Sequence, residues 1–198
     1  HCPNISECWN TGTATFMLMG DVCTRGCKFC SVKTGNPMKK LDAEEPKKLA
    51  EALAEIRLFD YVVLTSVNRD DLEDGGSSHI AECIKEVKKA YPEIIVDVLI
   101  PDFNGEINAL RNVVDANPEV IAHNIETVER LQKKVRDARA DYHQSLSVLE
   151  NIKKLNPKIY TKSSIMLGLG ETDEEVIQAM KDLREINVDI LTIGQYLR

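Results

Sequence analysis

Five of the six cysteines in this 198-residue chain fall within its first thirty positions: Cys2, Cys8, Cys23, Cys27 and Cys30. The last three are spaced C-x3-C-x2-C, so one short loop carries three thiolates. Soft ligands at that spacing can hold three irons of a [4Fe-4S] cubane and leave the fourth without a protein ligand. An iron left open in this way can bind a small molecule. Gly26 lets the backbone turn tightly between ligands. Arg25 and Lys28 either place positive charge beside an anionic cluster or are solvated bystanders. Zinc is the alternative occupant, taking a fourth ligand from Cys2, Cys8 or a histidine. Zinc sites usually draw two ligands from each of two knuckles, a pattern the three-cysteine loop fits poorly. Disulfides would suit a small secreted domain, whereas this chain is long and nearly free of cysteine beyond its start, which favours ligation in a reducing compartment.

The elements that must position this loop follow from periodicity. Six aliphatic and β-branched stretches read as strands: Thr13 to Gly20, Tyr61 to Val67, Ile94 to Pro101, Val120 to Glu126, Tyr160 to Gly170 and Ile190 to Tyr196. Most are near-continuous apolar runs, as expected of parallel strands buried on both faces. Between them the spacing turns helical, with stripes at Leu49, Leu53, Ile56, then Ile80, Cys83, Ile84, Val87, then Ile107, Leu110, Val114. Leu146, Leu149, Ile152, Leu155 and Val176, Ile177, Met180, Leu183 form the remaining two. Alternating βα units with right-handed crossovers give a parallel sheet with helices outside, and six units suit an α/β partial (β/α)6 TIM-like barrel. The cysteine loop then follows the first strand, at the end where barrels place their chemistry. Cys83 lies on an apolar helical stripe and reads as core.

Composition narrows the remaining choices. Apolar residues at 43% and charged residues at 29% are globular values. No apolar run is long enough to span a membrane. With 25 basic against 32 acidic residues the net charge is −7, and the cations are scattered, so no nucleic-acid partner is expected.

The motif C-x3-C-x-aromatic-C, with Phe29 at the aromatic place, is similar to the signature of the radical S-adenosylmethionine (SAM) enzymes. Cys2-Pro-Asn-Ile-Ser-Glu-Cys8-Trp9 closely resembles the latter part of the C-x4-C-x5-C motif of the lipoyl synthases within that superfamily. Other segments read as that family does, among them Thr65-Ser-Val-Asn-Arg-Asp-Asp-Leu72, His123-Asn-Ile-Glu-Thr127, Val135-Arg136 and Met166-Leu-Gly-Leu-Gly-Glu171. Asn68 departs from the pattern, standing where an Asp is expected. The motif's first cysteine would precede His1 and the family's arginine-serine ligand motif would follow Arg198, so the chain is expected to be truncated at both ends.

The resemblance implies two [4Fe-4S] clusters in the full-length protein, one SAM-binding on Cys23, Cys27 and Cys30 and one auxiliary to which Cys2 and Cys8 contribute. Residues 1–12 would belong to the auxiliary-cluster segment and 13–198 to the radical SAM barrel. The implied reaction inserts two sulfur atoms at C6 and C8 of a protein-bound octanoyl chain. A 5′-deoxyadenosyl radical abstracts the hydrogens and the auxiliary cluster is the sulfur donor. The implied partners are an octanoylated lipoyl carrier domain or protein and an electron donor such as flavodoxin or ferredoxin, in cytoplasm or mitochondrial matrix. A biotin-synthase-like sulfur-inserting enzyme and a non-catalytic zinc module are the competing readings.

Within that framework Phe29 would contact the adenine side. Glu126, with Asn124 on the same strand face, suits a ribose hydroxyl or the SAM ammonium, or else a helix N-terminal carboxylate. Arg136 could pair with the SAM carboxylate, or belong to a solvated charge run with Arg130, Lys133, Lys134 and Arg139. Gly168 could let adenine approach the backbone, or merely end a strand. Thr65 and Ser66 are polar contacts to SAM or strand caps. Asp70, Asp71, Glu73 and Asp74 read as a solvated acidic loop. No side chain is singled out as a catalytic acid, base or nucleophile.

Overall fold

The computed structural model describes residues 5–197. A short helix, α1 (Ile5–Asn10), precedes the first strand, β1 (Thr13–Leu18), and two two-residue strands, β2 (Val22–Cys23) and β3 (Lys33–Thr34), follow it. From there helices and strands alternate: α2 (Glu45–Ile56), β4 (Tyr61–Ser66), α3 (Ser77–Ala90), β5 (Ile95–Leu99), α4 (Ile107–Asp115) and β6 (Val120–Ala122). The chain continues through α5 (Gln132–Val135), α6 (Tyr142–Leu155), β7 (Tyr160–Leu167), α7 (Asp173–Glu185) and β8 (Ile190–Gln195). The six long strands form one parallel sheet in the order β1-β4-β5-β6-β7-β8, so every βα unit lies beside the next, the arrangement of a partial barrel.

Alternation along the strands divides the two faces. Ala14, Leu18, Val62, Leu64, Val96, Val98 and Ile165 are buried, together with Leu53, Ile80, Ile84 and Val87 of the helices that cover them. Truncating any of the larger ones to alanine would cost about 2–5 kcal/mol. The other face differs from the expectation of full burial. Thr15 and Met17 of β1 are exposed there, and Tyr61, Val63 and Thr65 of β4 are half-buried, because a partial barrel does not close over its own interior.

Three local signals set the helix boundaries. Asp141 caps α6 by accepting from Gln144 N at 3.0 Å. Thr172 and Glu175 form a reciprocal capping box on α7. Gly76 opens α3 at φ 86°, where an added Cβ would collide with Met19.

Several boundaries differ from the periodicity. The fourth long strand stops at Ala122 instead of reaching Glu126, because Glu126 takes a left-handed φ of 65° that ends the ladder apart from a single bridge to Ile165. Ile56, Ile107, Ile177 and Met180 are exposed, and Pro46, Ala50, Ala109, Val113 and Ala179 occupy the covered faces in their place. Cys83 is fully buried on α3, as its stripe predicts. Among the described residues no helix is long and apolar enough to cross a membrane.

Candidate functional site

Cys23, Cys27 and Cys30 sit at the C-terminal end of β1. Their loop is closed by the parallel pairing of β2 with β3 and by Gly35 N donating to Cys23 O at 2.9 Å. Each sulfur accepts backbone N–H groups. Cys23 Sγ takes Arg25 N at 3.4 Å and Asn68 N at 3.3 Å, Cys27 Sγ takes Asp137 N at 3.3 Å, and Cys30 Sγ takes Val32 N at 3.5 Å. Donors of this kind favour thiolate and are a main tuner of iron–sulfur centres. Burial pushes the Cys27 thiol up, while the Asp137 N–H and the Arg136 charge pull the other way.

The spacing of the thiols bears on their occupant. Among the described residues, the one set of three potential ligand atoms within 4.8 Å of one another is Glu45, His79 and Cys83. Sulfurs around one zinc, each ~2.3 Å from the metal, would lie ~3.8 Å apart. The three loop sulfurs do not all lie within 4.8 Å of one another, and three thiols from one short loop are a donor set that suits a cubane. The Glu45 group has a structural explanation: its carboxylate accepts Met19 N at 3.0 Å and contacts His79 Nε2 at 2.6 Å, tying α2 and α3 to the end of β1.

The loop is clamped from two sides. Arg25 is 5% exposed and bonds Asp102 through both terminal nitrogens at 2.7 Å, Asp70 at 2.9 Å and Asn104 at 2.9 Å. Burial opposes its charge, but the Asp102 and Asp70 carboxylates hold it protonated, above its ordinary value. Arg25 is thus a buried strut, while Lys28 is exposed and its N–H donates to Val135 O at 2.9 Å. On the other side Asp137 Oδ2 accepts Gly26 N at 2.8 Å, and Arg139 donates to Thr24 O at 2.6 Å. Glu73 of the acidic loop is exposed, but its three aspartates are not a solvated surface. Asp70 bonds Thr24 and Arg25, Asp71 pairs with the buried Arg69, and Asp74 accepts Gly76 N and Ser78 N at the start of α3.

A cavity of about 240 Å³ opens beside the cysteines. Its lining brings together Cys23, Cys27, Phe29, Cys30, Thr65, Ser66, Asn124, Glu126 and Arg136, residues spread over more than a hundred positions of sequence. Asn124 and Glu126 both face it although the strand has already ended, and Ile125 between them is fully buried. The next helical turn starts at Glu129, so Glu126 lies outside its first turn, and its side chain faces the cavity. Burial pushes the Glu126 carboxyl up, against the pull of Arg136 and Asn124. Arg136 is 8% exposed, whereas Lys133 and Lys134 are exposed and Arg130 and Arg139 are paired with Glu175 and Asp137. Arg136 is therefore a buried cation of the cavity, distinct from the solvated charge run around it.

Other predicted positions lie elsewhere. Gly168 is outside the cavity lining, ends β7 at φ 100°, and donates its N–H to Glu171. Cys8, half-buried on α1, precedes β1, so six residues of strand, about 20 Å, separate it from the level of Cys23. Trp9 beside it packs edge-on against Phe59 at 5.5 Å. Cys2 lies outside the described residues. Asp102, His123, Ser145 and Asp137 were not anticipated as site residues. Of these only His123, beside Asn124 in a quoted segment, carried a local signal.

The comparisons with known proteins agree with this geometry. The family model of the radical SAM superfamily matches residues 17–183. The chain is 59% identical over 197 residues to lipoyl synthase of Thermus thermophilus, covering 100% of this chain and 61% of that protein. It is 58% identical over 198 residues to lipoyl synthase of an Anaeromyxobacter species, covering 100% and 67% respectively. Among solved structures, methylornithine synthase superposes with a TM-score of 0.74 at 17% identity, over 93% of this chain and 53% of that one, a likeness of fold. The chain belongs to the radical SAM superfamily and, within it, to the lipoyl synthase family. It spans about three-fifths of the first of these relatives.

Proposed function

We propose that this chain is the catalytic barrel of an enzyme that inserts two sulfur atoms, at C6 and C8, into an octanoyl chain carried by a lipoyl domain. The observation that carries the proposal is the meeting of three N–H-bonded cysteine sulfurs with a cavity bearing Arg136, Glu126 and Asn124. Cys23, Cys27 and Cys30 would hold a [4Fe-4S] cluster, which when bound supplies the electron that cleaves SAM to methionine and a 5′-deoxyadenosyl radical. Aliphatic C–H bonds offer no acidic proton, so a radical is the reagent they need.

This chain's residues would bind and orient. Arg136 takes the SAM carboxylate, Glu126 and Asn124 the ammonium or ribose, Thr65 and Ser66 polar edges of the ligand, and Phe29 the adenine side; Gly168 would reach the adenine only beyond the cavity lining. Apolar neighbours Met17, Val32, Val67 and Leu99 line the same cavity and would keep water from a radical. Residues 1–12 are proposed as part of an auxiliary-cluster segment, in which Cys2 and Cys8 help to hold the sulfur-donating cluster. The placement of Cys8 across the length of β1 from Cys23 favours a substrate lying between the two. Flavodoxin or ferredoxin would supply electrons, in a reducing cytoplasm or mitochondrial matrix.

The test uses the full-length protein with an octanoyl-lysine peptide deuterated at C6 and C8. Deuterium should appear in 5′-deoxyadenosine as the dithiolated peptide forms. Turnover of dethiobiotin instead, or 5′-deoxyadenosine without label or thiolated product, would overturn the proposal.

A further inference from the structure

Arg136 is a cation in a buried place with only part of its hydrogen-bonding capacity used. Its Nη1 donates to Gln132 Oε1 at 3.0 Å and to Ser145 Oγ at 2.9 Å. Its Nε is buried without a partner among the described residues. An arginine with one terminal nitrogen engaged and Nε free retains the Nε–Nη2 edge, the planar fork that matches a carboxylate bidentately.

Of the residues that hold the engaged side, Gln132 and Ser145 lie outside the cavity lining, and His123 lies within it beside Asn124. Gln132 is oriented through its own amide nitrogen, which donates to Ile125 O at 2.9 Å and Thr127 O at 2.6 Å, leaving Oε1 for Arg136. Ser145 is fully buried on α6, and its hydroxyl lies 3.0 Å from His123 Nε2 and 3.0 Å from Asp141 O. His123 Nδ1 faces Ile100 O at 2.9 Å. A carbonyl only accepts, so Nδ1 carries the ring proton and Nε2 of the neutral ring presents a lone pair. The hydroxyl proton of Ser145 is shared between Asp141 O and that lone pair; given to Nε2 it satisfies an acceptor that is otherwise buried without a donor, while Asp141 O keeps Ser145 N at 3.1 Å. The hydroxyl oxygen then turns its own lone pairs to Arg136.

We propose that His123 and Ser145, with Gln132, are positioning residues that hold one side of the Arg136 guanidinium, so that its Nε–Nη2 edge is left without a protein partner among the described residues and can take the ligand's α-carboxylate bidentately where Arg136 lines the cavity. The proposal rests on the reading of the cavity as a SAM site. It adds that affinity for the carboxylate is set through Arg136 by its hydrogen-bond partners Gln132 and Ser145, which lie outside the cavity lining, and by His123 acting on Ser145.

The test compares binding of SAM and of decarboxylated SAM to the cluster-loaded protein. The unmodified protein should bind SAM at least about tenfold more tightly than the decarboxylated analogue. Ser145→Ala should lower that preference to about threefold or less through weaker SAM binding alone, with iron content, visible spectrum and affinity for the analogue unchanged. Ser145→Thr should restore the preference. His123→Asn, which keeps a donor for Ile100 O but loses the Nε2 acceptor, should behave as Ser145→Ala and carries the test if that variant does not fold. Equal binding of the two compounds by the unmodified protein would overturn the SAM-carboxylate reading of Arg136. A strong preference that survives both Ser145→Ala and His123→Asn would overturn the positioning role and leave that reading standing.

Discussion

The backbone N–H of Asp137 donates to Cys27 Sγ at 3.3 Å while the Asp137 carboxylate accepts Gly26 N at 2.8 Å, so one residue grips the cysteine loop at two adjacent points from 110 positions away. Arg136, the preceding residue, faces the ligand cavity. The proposed ligand contact and the support of the cysteine loop thus share one stretch of backbone. Asp137→Ala removes the carboxylate from Gly26 N and from Arg139, whose guanidinium is about half exposed and solvent-screened, a combined loss of about 1–2 kcal/mol. Iron loss to a chelator should become several-fold faster while the thermal midpoint of the metal-free chain moves by only a few degrees. Asp137→Asn, which keeps an acceptor, should lie between.

Arg25 leads to a stability prediction. Removing it leaves Asp102, whose side chain is fully buried, without its cation, a loss of about 3–5 kcal/mol for Arg25→Met in denaturant titration. The double variant with Asp102→Asn should recover part of that loss.

The same pair sets an acid limit. Burial pushes Asp102 up, but the Arg25 hydrogen bonds and charge win and hold it below its ordinary 3.8. The unfolded chain therefore takes up that proton first, and the contribution is complete above about pH 4 and lost as pH falls through the depressed folded value. Arg25→Met should flatten the acid limb of the stability curve.

His123 acts over a different window. Burial foremost, and then the charge of Arg136, lower it from 6.5 to about 4, so the unfolded state binds the proton first between those values. Stability should rise with pH across that window, by on the order of 3 kcal/mol. In His123→Asn the rise should vanish, as urea titrations at pH 5 and pH 7 would record.

The cysteine loop and the βα alternation were legible in the sequence because both are local: one is a spacing of seven positions, the other a change of period. The partners of Arg25 were not, since Asp70 and Asp102 lie 45 and 77 residues beyond it and meet it only once β4 and β5 align with β1. Arg136 stands between readings. Its neighbours Lys133 and Lys134 are exposed as a charge run should be, and the helix α5 ending at Val135 turns the next side chain inward. Glu126 was found by strand alternation although the strand had stopped, because its left-handed φ lets it rejoin β7 at Ile165 and keep its side. The exposed Ile177 and Met180 lie on α7, which follows β7 and precedes β8, where periodicity marks a stripe but not how much of it is covered.

The central claim is that Cys23, Cys27 and Cys30 hold a cluster that acts on SAM in the adjoining cavity, and anaerobic, dithionite-driven cleavage of SAM by the iron-loaded 198-residue chain tests it most directly. We expect about four irons per chain, by the cubane logic, and 5′-deoxyadenosine and methionine in equal amounts, both abolished by Cys23→Ala/Cys27→Ala/Cys30→Ala and retained by Cys83→Ala. Zinc in place of iron, or 5′-deoxyadenosine formed undiminished by the triple variant, would contradict it.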